Sequence, residues 1–172
     1  INGDTSSPLF VFANPMDESA PSASDPNTVY VGPGTIRTED VILTSGQTLY
    51  IAGGGVLKGR VYAKRQSGIK VRGYGVIDGI EDSADSNRPV LFEYTDDITL
   101  NDCIVLNKTS WTVNMFECND IVMDNCKIIA TKNPATTNGH QNDGFSIIGS
   151  DRMKVTRGFS YSHDDAYSIK TS

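Results

Sequence analysis

The hydrophobic residues of this chain occur in short runs separated by turn-forming residues, and they do not follow a helical period. Apolar positions spaced i, i+3, i+4 and i+7 do not persist for three turns anywhere. The runs are rich in Val, Ile and Thr, and Gly, Asn, Asp or Pro residues lie between them. This alternation of short strands and turns predicts an all-β chain.

The runs also repeat along the chain from Gly46 onward. Each repeat has three apolar runs, and the first runs align at Ile69, Ile98, Ile121 and Met153. Three short strands per repeat, with loops of variable length between them, predict a right-handed parallel β-helix whose coils stack about 4.8 Å apart. We expect residues 46–172 to be β-helix coils, and residues 1–45 to be a lead-in segment of short strands and loop.

The lead-in segment and the cysteines give two more structural expectations. Leu9–Phe12 and Val29–Val31 are predicted strands of the lead-in segment. Cys103 and Cys126 each follow the first strand of a repeat at the same offset, so they should stack inside the helix as a small apolar ladder. The odd number of cysteines, without Cys-x-x-Cys spacing, predicts no metal site.

Two loop expansions indicate where function is concentrated. Residues 78–89 and 131–142 are both expanded, and both lie between the second and third strands of a repeat. Loops at the same corner of successive repeats rise over the same side of a solenoid, and binding residues tend to gather on such loops. We therefore expect the functional face at this corner.

Three aspartates follow that corner in matching positions. Asp143 and Asp165 are 22 residues apart, as are Phe145 and Tyr167 in the strands that follow, and Asp164 precedes Asp165. The register therefore predicts that Asp143 lies one rung from Asp165. A cluster of carboxylates raises the pKa of one of them, and glycoside hydrolysis needs such acids to protonate a leaving oxygen and to activate water.

A structural role remains open for each aspartate, because Asp also caps turns. Strict strand alternation would place Asp164 on the outward side and Asp165 on the inward side. A bend before the third strand is therefore needed for all three acids to face one cleft.

Further residues near the acids are candidates for contacts with a substrate: Asn142, His163, Trp111, His140 and Lys170. The register predicts that Trp111 lies below Asp143, where an exposed indole would stack on a sugar ring and a buried one would fill the core. Lys170 is either a ligand for an anionic or hydroxyl group or a solvated charge. No metal and no cofactor are predicted.

Composition excludes two classes of partner. The 172 residues carry 15 Lys and Arg against 21 Asp and Glu, for a net charge of −6. A nucleic-acid interface needs a clustered basic surface, which this chain lacks. No apolar stretch approaches the ~20 residues needed to cross a bilayer. We expect a monomer that binds neither nucleic acid nor membrane.

The sequence resembles the polygalacturonase-type glycoside hydrolases of family 28 and their β-helix relatives. The resemblance covers roughly residues 46–172 and is carried by four short stretches: Asn142-Asp143-Gly144, Asp164-Asp165 followed by Ala166-Tyr167-Ser168-Ile169-Lys170, Ser110-Trp111, and Gly73-Tyr74-Gly75-Val76-Ile77-Asp78-Gly79. It implies an inverting hydrolase in which Asp164 is the general acid while Asp143 and Asp165 hold and activate water. It also implies a secreted or periplasmic protein.

Two parts of the sequence differ from plain polygalacturonases. The opening, Pro8–Gly54, looks more like relatives with an accessory β-domain before the helix, such as the dextranase-type family 49. The Gly-His-Gly and Arg-x-Lys motifs that the family carries after Asp-Asp do not occur before Ser172. We therefore interpret the chain as part of a catalytic domain.

The predicted function is hydrolysis of α-glycosidic bonds in a polysaccharide by the aspartate trio. Two alternatives stay open. A polysaccharide lyase would use the acids to hold Ca²⁺ and would need a basic residue as catalyst. A non-catalytic carbohydrate-binding β-helix would bind a glycan without turnover.

Overall fold

A computed structural model describes residues 8–79, 88–107, 110–131 and 142–171. Within these residues all regular structure is β, and no helix is long and apolar enough to cross a membrane. In chain order the strands are β1 (Thr28–Val31), β2 (Ile36–Arg37), β3 (Val41–Ile42), β4 (Thr48–Ile51), β5 (Val56–Leu57), β6 (Val61–Lys64), β7 (Ser67–Arg72), β8 (Val76–Asp78), β9 (Val90–Glu93), β10 (Asp96–Asn101), β11 (Ile104–Asn107), β12 (Val113–Phe116), β13 (Asn119–Asp124), β14 (Lys127–Ala130), β15 (Phe145–Ile148), β16 (Asp151–Thr156), β17 (Phe159–Ser162) and β18 (Tyr167–Lys170).

The strands form a right-handed parallel β-helix, as the repeats predicted. Every third strand belongs to the same sheet, so three parallel six-stranded sheets run along the molecule. We number the coils 1 to 6, from β1–β3 to β16–β18. Coil 1 starts at Thr28, so the stacked coils begin earlier than the boundary at residue 46 that the repeats suggested.

The register of the repeats is confirmed. Ile69, Ile98, Ile121 and Met153 are successive partners in the first sheet, and Val113, Phe145 and Tyr167 are successive partners in the third. Because alternate strand residues point inward, each inward position becomes a column of apolar side chains along the axis. These columns form one continuous core.

The predicted cysteine ladder is part of that core. Cys103 and Cys126 are both buried, and their Sγ atoms lie 3.7 Å apart. Both remain thiols. The hydrogen bond with the neighbouring Cys103 thiol, together with burial, raises the pKa of Cys126 well above its usual range, so it behaves as an apolar core residue.

In coils 3 to 6, two of the three corners of each coil are built alike. Residues with left-handed backbone recur at three places around the first-sheet strand: two residues before it, at its second residue, and directly after its end. The recurring positions are Arg65, Tyr94, Glu117 and Gly149 at the first place, Gly68, Asp97, Asp120 and Arg152 at the second, and Gly73, Asp102, Asn125 and Arg157 at the third. Within the described residues, the corner between the second and third sheets has no such position.

The N-terminal segment does not form the strand predicted at Leu9–Phe12, and the described residues before Thr28 form no separate β-domain. Phe10 and Phe12 instead pack on the outer face of the second sheet, with ring centroids 5.8 and 5.2 Å from that of Phe159. Farther along, Asp17 accepts a hydrogen bond of 2.9 Å from the Tyr50 hydroxyl. We call residues 10–19 the strap, because they connect coil 6 to coils 2 and 3.

The close stacking of coils predicts different costs for two glycine substitutions. A Cβ at Gly73 (φ +107°) would lie 2.2 Å from the Ile51 carbonyl oxygen of the coil below, whereas one at Gly46 (φ +79°) would meet nothing within 4 Å. Gly46→Ala should therefore cost only the left-handed penalty of about 1–2 kcal/mol. Gly73→Ala should cost clearly more, measured as the free energy of unfolding in urea. Equal losses would contradict the close coil contact at Gly73.

Candidate active site

The three aspartates come together at the corner between the second and third sheets, next to coil 6. One carboxylate oxygen from each of Asp143, Asp164 and Asp165 lies within 4.8 Å of the others. Asp143 is buried, while Asp164 and Asp165 are exposed. The predicted convergence is therefore present, and the chain bends over residues 163–166, where strict alternation would have separated the acids.

Backbone hydrogen bonds continue the strand ladder through this corner. The Gly144 N–H donates to the Asp165 carbonyl at 2.8 Å, and the Thr112 N–H donates to the Asp143 carbonyl at 3.0 Å. Gly144 has no room for a side chain, since a Cβ there would lie 2.3 Å from Ser160 Oγ and 2.7 Å from the Ala166 carbonyl oxygen. The register thus holds Asp143 between Trp111 below and Asp165 above.

The environment of Asp143 raises its pKa. Burial is the main cause, because it disfavours the charged carboxylate, and the nearby charge of Asp164 acts in the same direction. The Ser146 hydroxyl opposes this by donating to Asp143 Oδ2 at 3.1 Å, and Lys170 Nζ opposes it from 3.9 Å. A carboxyl group whose pKa is raised by burial and lowered by a hydrogen bond and a nearby cation is typical of functional sites.

A small polar floor lies beneath the acids. Asn114, Ser146 and Ser168 are successive partners on β12, β15 and β18, and all three are buried although they occupy outward positions. These residues were not among the predicted candidates. The sequence does contain a pattern that indicates them, because small polar residues recur at aligned outward positions of consecutive repeats.

The other predicted contact residues do not all lie beside the acids. Trp111 is half-buried beside the acids, and Lys170 Nζ lies 4.5 Å from the centre of its ring. Asn142 is buried, and its Nδ2 donates to the Thr131 carbonyl at 2.6 Å, so it anchors the backbone next to Asp143. His163 is exposed, directly before Asp164. His140 and most of both expanded loops lie outside the described residues.

Arg88 is a further residue that was not among the predicted candidates. Its guanidinium lies over the ring of Trp111, with Cζ 4.9 Å from the ring centre. Arg88 lies at the end of the first expanded loop, just before β9, and nothing in the local sequence indicates that it contacts a residue of the next coil.

The three carboxylates also have the charge and spacing to hold a cation. They supply only three ligands, however, and two of the three are exposed, which is common in acidic clusters that bind no ion. The geometry therefore does not by itself indicate a metal centre.

Comparison with protein families identifies the chain. The model of glycosyl hydrolases family 28 matches residues 38–172. The chain belongs to this family. A comparison with curated proteins found no match.

Two solved structures share the fold. One is described as a "putative glycosyl hydrolase" from Parabacteroides merdae ATCC 43184, with a TM-score of 0.64, 17% identity, and coverage of 83% of this chain and 78% of that chain. The other is the polygalacturonase from Erwinia carotovora ssp. carotovora, with a TM-score of 0.65 and 17% identity. That match covers 84% of this chain and 48% of the polygalacturonase, so the family 28 chain spans about half of the latter's length.

The raised pKa of Asp143 predicts that this residue destabilises the fold once it ionises. A carboxyl whose folded-state pKa is raised contributes stability at low pH that is lost as pH rises from the ordinary value of 3.8 through the raised pKa. Asp143→Asn should therefore raise the free energy of unfolding at neutral pH relative to the native chain, and raise it less at pH 3. Urea unfolding across this pH range would measure the difference.

Asp124 provides a control of opposite sign. Hydrogen bonds from Arg157 and Thr156 lower the pKa of Asp124 to about 2. Asp124→Asn should therefore lower stability at neutral pH, with a loss that shrinks as pH falls from 3.8 toward 2. If Asp143→Asn also lowers stability at neutral pH, burial does not dominate the pKa of Asp143.

Proposed function

We propose that this chain carries the acid/base centre of a glycoside hydrolase that cleaves α-glycosidic bonds of a polysaccharide with inversion. The observation that supports this most is the meeting of Asp143, Asp164 and Asp165 at one corner of a family 28 β-helix. Carboxyl groups at that spacing can serve the two proton transfers that glycoside hydrolysis needs.

In this proposal Asp164 is the general acid. Its proton passes to the glycosidic oxygen as the bond from that oxygen to the anomeric carbon breaks. Asp143 and Asp165 orient a water molecule, whose oxygen attacks the anomeric carbon while its proton passes to one of these carboxylates. Lys170 and Ser146 support this role for Asp143, because both favour its ionised form.

The stereochemistry of the product tests this proposal. Inverting enzymes leave room for a water molecule between the acid and the base, whereas in retaining enzymes the second carboxylate attacks the sugar itself. Here one oxygen from each of three acids lies within 4.8 Å of the others. In our proposal two of these carboxylates hold the water together.

The remaining predicted site residues are proposed as substrate contacts: Trp111, Asn142, His163, His140 and Lys170. Lys170 lies between Trp111 and Asp143, in contact with both. Asn142 would act mainly through the backbone that it anchors. The mechanism uses no metal and no cofactor, and we propose a monomeric protein that works outside the cytoplasm, secreted or periplasmic.

Loss of the general acid should abolish turnover without unfolding the chain. Asp164→Asn keeps the shape of the exposed side chain but removes the proton donor, so we expect kcat/KM to fall by about 10²–10⁴-fold. The assay is reducing-end release from polygalacturonate, dextran and a sulfated galactan. Asp97→Asn is the matched control, because Asp97 is exposed, distant from the site, and in a left-handed conformation that Asn also adopts. Normal hydrolysis by Asp164→Asn would contradict the assignment.

Proton NMR of the first product distinguishes the mechanisms. We expect the new reducing end to appear first as the inverted anomer. The retained anomer would instead assign one aspartate as a covalent nucleophile. Unsaturated sugar signals would indicate a lyase, and glycan binding without cleavage would indicate a carbohydrate-binding β-helix.

A further inference from the structure

The guanidinium group of Arg88 lies on two aromatic rings. Its Cζ lies 4.9 Å from the ring centre of Trp111 and 5.0 Å from that of Phe116. Its Nε is buried without a hydrogen-bond partner, and within the part of the chain that the structure describes Arg88 forms no ion pair. The guanidinium therefore lies against two aromatic faces, while the charge of Glu93 acts on it from beyond ion-pair distance.

The same indole has a second cation. Lys170 Nζ lies 4.5 Å from the ring centre of Trp111 and 3.9 Å from Asp143 Oδ2. Arg88 comes from coil 3, Trp111 from coil 4 and Lys170 from coil 6. Two cations from different coils therefore contact the same indole. One of them, Lys170, also contacts the buried Asp143.

We propose that Arg88 is a positioning residue of the active site. By stacking on Trp111 and Phe116, it fixes the indole against which Lys170 rests, and so keeps Lys170 beside Asp143. A planar guanidinium can lie on two rings at once, whereas an ammonium contacts them as a point charge. Cation–π contacts gain strength when the cation is desolvated, and burial does lower the pKa of Arg88.

Trp111 itself provides the measurement. It is the only tryptophan in the sequence, so intrinsic fluorescence reports on this cluster alone. In Arg88→Met the fast component of the time-resolved anisotropy decay of Trp111 should grow at least about twofold, because the indole loses one of its two cations. Arg88→Lys keeps the charge but not the planar group, and should lie between Arg88→Met and the native chain.

Arg65→Met is the matched control. Arg65 also stacks on an aromatic ring, with Cζ 5.4 Å from the ring centre of Tyr94, but at the corner between the third and first sheets. Its loss should leave the fluorescence decay of Trp111 unchanged. Urea unfolding of each variant checks that the fold is retained. An unchanged anisotropy decay in a folded Arg88→Met variant would overturn the proposal.

A double-mutant cycle tests the link to Lys170, and this part rests on the proposed hydrolase function. Arg88→Met should lower kcat/KM about three- to tenfold. Because Arg88 is proposed to act through Lys170, adding Arg88→Met to Lys170→Met should lower it little further. Additive losses would overturn that link. If no variant and no native chain hydrolyses any polysaccharide, the proposed function fails, while the positioning of Trp111 is still decided by the fluorescence.

Discussion

The in-register stacking of one coil on the next is the constraint on which the rest of this structure depends. Parallel strands bond backbone to backbone, so each side chain is fixed one rung from its counterpart in the neighbouring coil. The ladder does not stop where the third-sheet strands begin, since Gly144 still bonds to Asp165 and Thr112 to Asp143. A carboxylate cluster, which repels itself, is held together here by backbone bonds that do not involve the carboxylates.

The corners explain why the candidate site lies on one side of the helix. In coils 3 to 6, two corners of each coil use residues with left-handed backbone at matching positions. At Gly73 such a corner also lies directly against the Ile51 backbone of the coil below. The corner between the second and third sheets carries no such repeated requirement among the described residues. It can therefore hold loops of different length, bends and buried polar groups.

Features that repeat from coil to coil could be predicted from the sequence, whereas features outside the repeat could not. The columns at Ile69 and Val113, the cysteine pair and the position of Asp143 one rung from Asp165 all follow from a period, which is visible in one dimension. The addition of Asp164 to the cluster depends on the bend over residues 163–166, which no period describes. The left-handed corners escaped prediction because Tyr94, Glu117 and Arg152 occupy places where glycine would have been the signal. Arg88 escaped because it lies outside any strand, just before β9, and no period describes its contacts with Trp111 and Phe116. Coil 1 was missed because its strands β2 and β3 are only two residues long.

The strap is an exception to the coil-by-coil order in which the β-helix can fold. Neighbouring coils are joined by backbone ladders, so they can stack one after another as the chain leaves the ribosome. The strap precedes all six coils in this sequence, yet Phe10 contacts Phe159 and Tyr161 of coil 6. These aromatic side chains therefore lack their partners until coil 6 has been synthesised. During that interval they are available for contacts with other chains, and their docking on coil 6 ends this exposure.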